Sequence, residues 1–153
     1  MKIDAIIEIP RGSRNKYEFD PKANMIRLNR QIPLAVSYPA DYGYIPNTLA
    51  EDGDPCDVLV RIEEPTFPGC LVEVKPLKIL KMLDQGVPDH KILCAPAKSE
   101  YTMKDVPTKL LREIEHFFRV YKLLENKKIK IFGWEDKKAA KAYIEKSQKA
   151  FKK

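Results

Sequence analysis

Asp52-Gly53-Asp54-Pro55-Cys56-Asp57-Val58-Leu59-Val60-Arg61-Ile62 sets three carboxylates within six residues, directly against a short apolar run. Gly53 and Pro55 favour a stiff turn and residues 58–62 are β-type, so the acids sit on a fixed loop at the mouth of a strand. Like charges this close repel unless a cation lies among them. Hard divalent ions such as Mg²⁺ take carboxylate oxygens presented in this way. A second acidic pair, Asp84 and Asp89, follows with Gly86 and Pro88 between its members. The pattern predicts a chain that holds several metal ions. A calcium loop of EF-hand type is the nearest rival, because Glu63 falls at the twelfth position from Asp52. It fails because Asp57, not glycine, stands at the sixth position and Val58-Leu59-Val60 is strand-like.

Short β-type runs continue outward from that stretch. Residues 3–9 read as a strand, and residues 16–20 and 25–30 as a hairpin joined by the turn Asp20-Pro21-Lys22-Ala23-Asn24. Residues 70–74, 77–82 and 91–94 are further strands between proline and glycine punctuation. The last third changes character. Residues 107–125 place Leu110, Leu111, Ile114, Phe117, Phe118, Tyr121 and Leu124 at helical spacing, with Pro107 suited to a first turn. Residues 130–134 form a closing strand. From Glu135 onward a lysine-rich helix carries Ala140, Tyr143, Ile144, Ser147 and Phe151 along one side. The reading is one α+β domain over residues 1–153, mainly β, a small barrel followed by two helices.

At 153 residues the chain can bury one core but not comfortably two, and 44% hydrophobic residues exclude wholesale disorder. No apolar run approaches the roughly 18 residues of a membrane span. Asp4 and Glu8 interrupt any secretory signal at the start, and Cys56, Cys70 and Cys94 are odd in number with no Cys-x-x-Cys pair. Free thiols and a cytoplasmic location are the expectation. The net charge of +6 lies in the tail, because residues 137–153 carry seven lysines and only Glu145 as an acid. The remainder is neutral, so the excess is the solvated face of a helix rather than a footprint for nucleic acid.

The acids have basic and phenolic company. Lys16 and Glu18 alternate on a strand and share a face, with Arg30 on the next strand and Lys91 just beyond Asp89. Tyr38-Pro39-Ala40-Asp41-Tyr42-Gly43-Tyr44 offers phenol hydroxyls from a rigid loop, and Tyr121-Lys122 lies late on the long helix. Such a mixture suits a small, highly charged, oxygen-rich anion: carboxylates hold metal, metal neutralises the anion, and Lys, Arg and Tyr take the remaining oxygens. His90 and His116 are too sparse for a zinc site, and Cys56 among hard ligands is a spacer that packs inward. A small basic barrel could alternatively be an OB-fold nucleic-acid module, but the acidic loops would repel a phosphate backbone.

The order of motifs is recognisable: Ile7-Glu8-Ile9-Pro10, Asn15-Lys16-Tyr17-Glu18, the Tyr38–Tyr44 run, Asp52-Gly53-Asp54-Pro55-Cys56-Asp57, then Asp84 through Asp89-His90-Lys91, and His116-Phe117-Phe118 to Tyr121-Lys122. Over residues 3–134 this closely resembles the soluble family I inorganic pyrophosphatases of prokaryotic type. The resemblance implies an OB-like five-stranded closed barrel with two flanking helices near the C-terminus. It implies Mg²⁺-dependent hydrolysis of pyrophosphate to two orthophosphates by a metal-activated water, with several Mg²⁺ per site. Asp52, Asp57 and Asp89 would bind the metal that helps generate the nucleophile, Asp57 bridging to a second. Asp84 with Asp89 would hold a further Mg²⁺ that arrives with substrate, and Glu8 and Glu18 would act through metal-bound water. Asp54 would be the general base. Lys16 and Tyr42 would contact the phosphoryl group under attack, while Arg30, Tyr121 and Lys122 bind the leaving phosphate. Lys91 would add neutralising charge, and Tyr38 would stand behind the contacting residues. A homohexamer is the implied assembly, to whose interface His116 and the aromatic helix could contribute. Two positions depart from the family: Gln85 stands where Glu is common and Leu123 where Asp is frequent. Weaker hold on the substrate-associated metal is the expected consequence of Gln85.

Overall fold

Five strands close on themselves in the computed structural model, which describes residues 1–153. They are β1 (Ile3–Ile9), β4 (Asp41–Ile45), β5 (Cys56–Val60), β6 (Leu71–Asp84) and β8 (Lys91–Pro96). β1 pairs β4, β4 pairs β5, β5 pairs β8 in parallel, β8 pairs β6, and β6 returns to β1. Closure leaves no free edge among them. β2 (Asn15–Asp20) and β3 (Met25–Gln31) form the expected hairpin as a separate two-stranded sheet. The short β7 (Val87–Pro88) and the closing β9 (Ile129–Glu135) both pair with β6. The helices are α1 (Thr108–Val120) and α2 (Lys137–Phe151). Asp136 caps α2 by accepting the Ala139 N–H.

The core explains why β5 and β8 read as continuous apolar runs rather than alternating ones. Val58, Val60, Ile92 and Cys94 belong to a buried cluster with Ala140, Tyr143 and Ile144 of α2. Leu59 and Leu93, on the opposite face, join Ile114, Phe117, Phe118 and Tyr121 of α1 and the residue after it. Strands covered on both faces have no polar side to display.

The structure revises several expected boundaries. Tyr42 and Tyr44 lie on a strand, not in a loop: Asp41–Ile45 alternates buried and half-buried positions and pairs on both sides. The runs at residues 70–74 and 77–82 are one 14-residue strand, β6, because Pro76 sits where the register against β8 shifts and no ladder N–H is needed. β5 starts at Cys56, so Asp57 belongs to the strand. The long helix stops at Val120 and gives way to a 3₁₀ turn, Leu123–Glu125, closed by Asn126 at φ 56°. No helix is long and apolar enough to cross a membrane.

At Gly43, opposite Ile7, β4 lies close against the backbone of β1. A Cβ there would fall inside the van der Waals envelope of the Ile6 carbonyl oxygen and 2.8 Å from Ile7 Cα, both backbone atoms that cannot move aside. Gly43→Ala is therefore expected to cost about 3 kcal/mol or more by chemical denaturation, at or above the upper end of overpacking penalties. A loss under ~1 kcal/mol would mean that the barrel can open at this seam.

Candidate active site

Strand register delivers the site. Asp57 and Lys91 stand opposite each other across β5 and β8, and Tyr44 opposes Asp57 across β4 and β5. Opposed residues share a face, so these side chains project on the same side as Leu59 and Leu93, the side that α1 covers. Glu8 lies at an irregularity in β1, where the pairing with β4 shifts between Ile7 and Ile9, a device that re-aims a side chain. Lys16 and Arg30 are direct cross-strand partners on the β2–β3 hairpin. Two cations so placed repel unless each has an acid, and each does: Lys16 lies 3.1 Å from Glu18, and Arg30 pairs with Glu125.

At the centre, the buried Lys91 ammonium donates to Asp57 Oδ2 at 2.6 Å, to Asp89 Oδ1 at 2.7 Å and to the Tyr42 hydroxyl at 3.3 Å. Lys122 pairs with Asp84. The aromatic wall behind this centre is continuous. Tyr38 packs on Tyr42 at 5.2 Å and on Phe117 at 4.5 Å, and Tyr121 packs on both Phe117 and Phe118. The acidic turn is held by its own backbone. Asp54 N–H donates to Asp52 Oδ1 at 3.1 Å, and the Asp54 carbonyl accepts from Ala50 at 2.8 Å. Every acid assigned above has a hydrogen-bond or ion-pair partner for its carboxylate except Asp54.

Burial and crowding set the electrostatics. Burial, with smaller pushes from Asp57 and Glu18, raises the Glu8 carboxyl to about 7 against the Phe19 N–H that it accepts. Burial likewise raises Asp57 to about 6, with Lys91 opposing and Asp89 adding to the rise. For Asp89 the Lys91 charge and hydrogen bond outweigh burial and hold the carboxyl below its ordinary range. Burial works against the Lys91 ammonium, but Asp57 and Asp89 outweigh it and keep the lysine charged. Tyr38, Tyr42 and Tyr121 are pushed well above ordinary phenols, first by burial and then by the Tyr121 phenol for Tyr38 and by nearby carboxylates for the other two, so all three remain protonated donors.

A raised carboxyl binds its proton more tightly when folded, so its ionisation destabilises the fold as pH climbs past the unfolded value toward the folded one. For Glu8 that window runs from 4.5 to about 7. His90, lowered by burial, acts in the opposite sense and is best cancelled by a difference measurement. Metal-free Glu8→Gln is expected to be more stable than wild type at pH 8, with the gap closing by pH 5. A gap that stays constant with pH would show that Glu8 is not the strained group.

The structure groups many of the sequence-predicted residues into one central cluster and several separate pairs. Asp57, Asp89, Lys91 and Tyr42 are in direct contact. Asp84 with Lys122, Glu18 with Lys16, and Asp52 with Asp54 form satellites around them. Sequence reasoning missed Glu125, the partner of Arg30, which stands 95 residues away and left no local signal. Gln85, in a left-handed conformation at φ 52°, donates its carboxamide to Asp84 Oδ1 at 3.3 Å, a bond that glutamate could not make. Leu123 is exposed, as is His116, whereas the aromatic residues of α1 are core.

The donor set fits hard cations and an anion. All the acids offer oxygen, and Arg30 Nε is buried without a hydrogen-bond partner. No three of the acids converge as a ready-made metal cage, since lysine ammonium groups hold most of them in pairs instead.

Comparison with known proteins points the same way. A family model described as inorganic pyrophosphatase matches residues 5–152. The chain is 48% identical over 155 aligned residues to an inorganic pyrophosphatase of Synechocystis sp., covering 98% of this chain and 92% of that protein. It is 46% identical to one from Methanosarcina mazei, covering 94% and 88%. Its fold is similar to the crystal structure of the inorganic pyrophosphatase of Thermus thermophilus, with a TM-score of 0.94 at 42% identity over 99% of this chain and 92% of that one. A truncated vacuolar soluble pyrophosphatase of Trypanosoma cruzi, solved in complex with PPi, matches with a TM-score of 0.86 at 26% identity, covering 99% and 69%.

Proposed function

The chain belongs to the inorganic pyrophosphatase family and is a hydrolase of pyrophosphate, and from that premise we propose that its turnover depends on Mg²⁺ and proceeds by direct attack of water. The observation that carries this is the unpartnered Asp54 carboxylate on the rim of an otherwise fully paired acid–base network. Asp52, Asp57, Asp84 and Asp89 would hold Mg²⁺ directly, and Glu8 and Glu18 through water. When bound, the metal lowers the pKa of water and adds positive charge at the phosphoryl oxygens.

The chain's own groups do the rest. Lys16 and Tyr42 hold the phosphoryl group under attack in line with the water. Asp54 takes the water's proton as the new P–O bond forms and the bridging P–O bond breaks. Arg30, Tyr121 and Lys122 receive the charge that appears on the leaving phosphate. Arg30 has its buried Nε–H available for an oxygen, and Tyr121 remains a protonated donor at any working pH. Lys91, permanently charged, neutralises substrate as well as its two aspartates, and Tyr38 keeps Tyr42 in place by packing against its ring. Cys56 and Cys94 are buried with thiols pushed up by burial, so neither is an activated covalent nucleophile.

Phosphate release from pyrophosphate, measured with Mg²⁺ present and again after chelation, tests the proposal. Activity that survives complete chelation would refute it. The same reading takes the protein to be a cytoplasmic homohexamer that works without nucleic acid or membrane. Light scattering that returned a monomer would overturn the assembly.

A further inference from the structure

Tyr143 of α2 touches the rear of both acidic walls. Its hydroxyl donates to Glu51 Oε2 at 3.3 Å, and Lys146, one turn further, donates to Glu51 Oε1 at 2.7 Å. Its ring meets His90 edge-on, with centroids 5.2 Å apart. Glu51 immediately precedes Asp52, and His90 stands between Asp89 and Lys91. Both contacts are anchored. Leu49 N–H donates to the Ser147 carbonyl at 3.0 Å, which ties the acidic turn to α2 a second time. His90 Nδ1 accepts the Met82 N–H at 3.1 Å, while the Met82 carbonyl accepts the Asp89 N–H at 3.1 Å. The imidazole and the peptide that carries Asp89 are thus pinned together to β6. None of Glu51, His90 and Tyr143 has a part in the chemistry set out above.

Asp52 and Asp89 come from different segments of the chain, and each is one residue from a group that Tyr143 touches. Their spacing is not fixed by any hydrogen bond between them. Lys91 joins Asp57 to Asp89 at the front of the site, and one phenol that grips the neighbours of Asp52 and Asp89 links the two walls a second time, from behind.

We propose that Tyr143 is a positioning residue that sets the separation of Asp52 and Asp89 for cation binding, by holding Glu51 through its hydroxyl and His90 through its ring. This rests on the Mg²⁺ reading of those carboxylates. It predicts a defect in metal affinity rather than in the chemical step, because nothing that meets the phosphoryl group changes.

The test is calorimetric Mg²⁺ titration of the full-length, substrate-free protein. Tyr143→Phe, which keeps the ring and loses one hydrogen bond, is expected to bind Mg²⁺ roughly fivefold more weakly. At saturating Mg²⁺ its kcat should stay within about twofold of wild type. Glu51→Ala, which also releases Lys146, should weaken binding at least as much. The double variant should be no weaker than Glu51→Ala alone, since the Tyr143–Glu51 contact is already lost there. Tyr143→Leu, which also releases His90, should bind more weakly than Tyr143→Phe. Unchanged Mg²⁺ affinity in Tyr143→Phe, even with a lower Tm, would reduce Tyr143 to a packing residue and overturn the proposal. Additive losses in the double variant would overturn it as well. A wild-type protein that binds no Mg²⁺ would remove the metal reading itself, a result separable from either of those.

Discussion

Asp54→Asn is expected to lower turnover about 100- to 1,000-fold, the range of a lost general base, with little change in Tm or in Mg²⁺ affinity without substrate. The asymmetry comes from what the three acids of the turn already do. Asp57 is tied to Lys91, and Asp52 accepts the Asp54 N–H, but the Asp54 carboxylate is exposed and holds nothing. Its backbone keeps the turn closed through Ala50, and asparagine leaves that bond intact. The substitution therefore removes a proton acceptor without removing a structural contact. Asp57→Asn is the informative contrast: it would halve the negative charge around a buried lysine and lower stability along with activity. If Asp54→Asn turned over at near wild-type rate in saturating Mg²⁺, the base would have to be sought among the other acids.

The sequence made individual elements legible where local pattern decides them. The hairpin 16–30 and the strand 3–9 emerged within a residue of their observed bounds, since alternation and a proline turn suffice. Asp41–Ile45 escaped because glycine and two tyrosines resemble turn chemistry, whereas Gly43 is there to let two backbones meet. Leu71–Asp84 was split because Pro76 punctuates a strand that a register shift carries past it. Within the site, the types and the order of the residues were readable, but their pairing was not. That Lys91 spans Asp57 and Asp89, that Lys122 takes Asp84 and that Arg30 takes Glu125 depends on barrel closure and on the path of the chain after α1. Asp89 and Lys91 apart, these partners lie 34 to 95 residues from each other and leave no periodicity to detect.

Lys91→Met should destabilise the metal-free protein by about 3–5 kcal/mol at neutral pH, the cost of removing one partner from a buried ion pair. Lys91 is 1% exposed, so water cannot replace its ammonium between Asp57 and Asp89. The two carboxylates would then face each other beside the aromatic wall that Phe118 and Tyr42 provide. Asp57 already sits at about 6 with the lysine present, and without it the acid would shift further toward the protonated form. The loss should accordingly shrink as pH falls toward 5. Mg²⁺ should restore stability by a separate route: an ion at about 100 times its Kd adds roughly 2.7 kcal/mol. The variant is expected to gain more than wild type, because the metal meets two unpaired carboxylates rather than having to displace a lysine. Melting curves at pH 5 and 8, with and without Mg²⁺, separate the two rescues. Equal Mg²⁺-induced shifts in variant and wild type would place the ion away from Asp57 and Asp89. A larger shift in the variant would tie the buried lysine and the cation to the same oxygens, and make Lys91 the group that keeps those oxygens in place until the metal arrives.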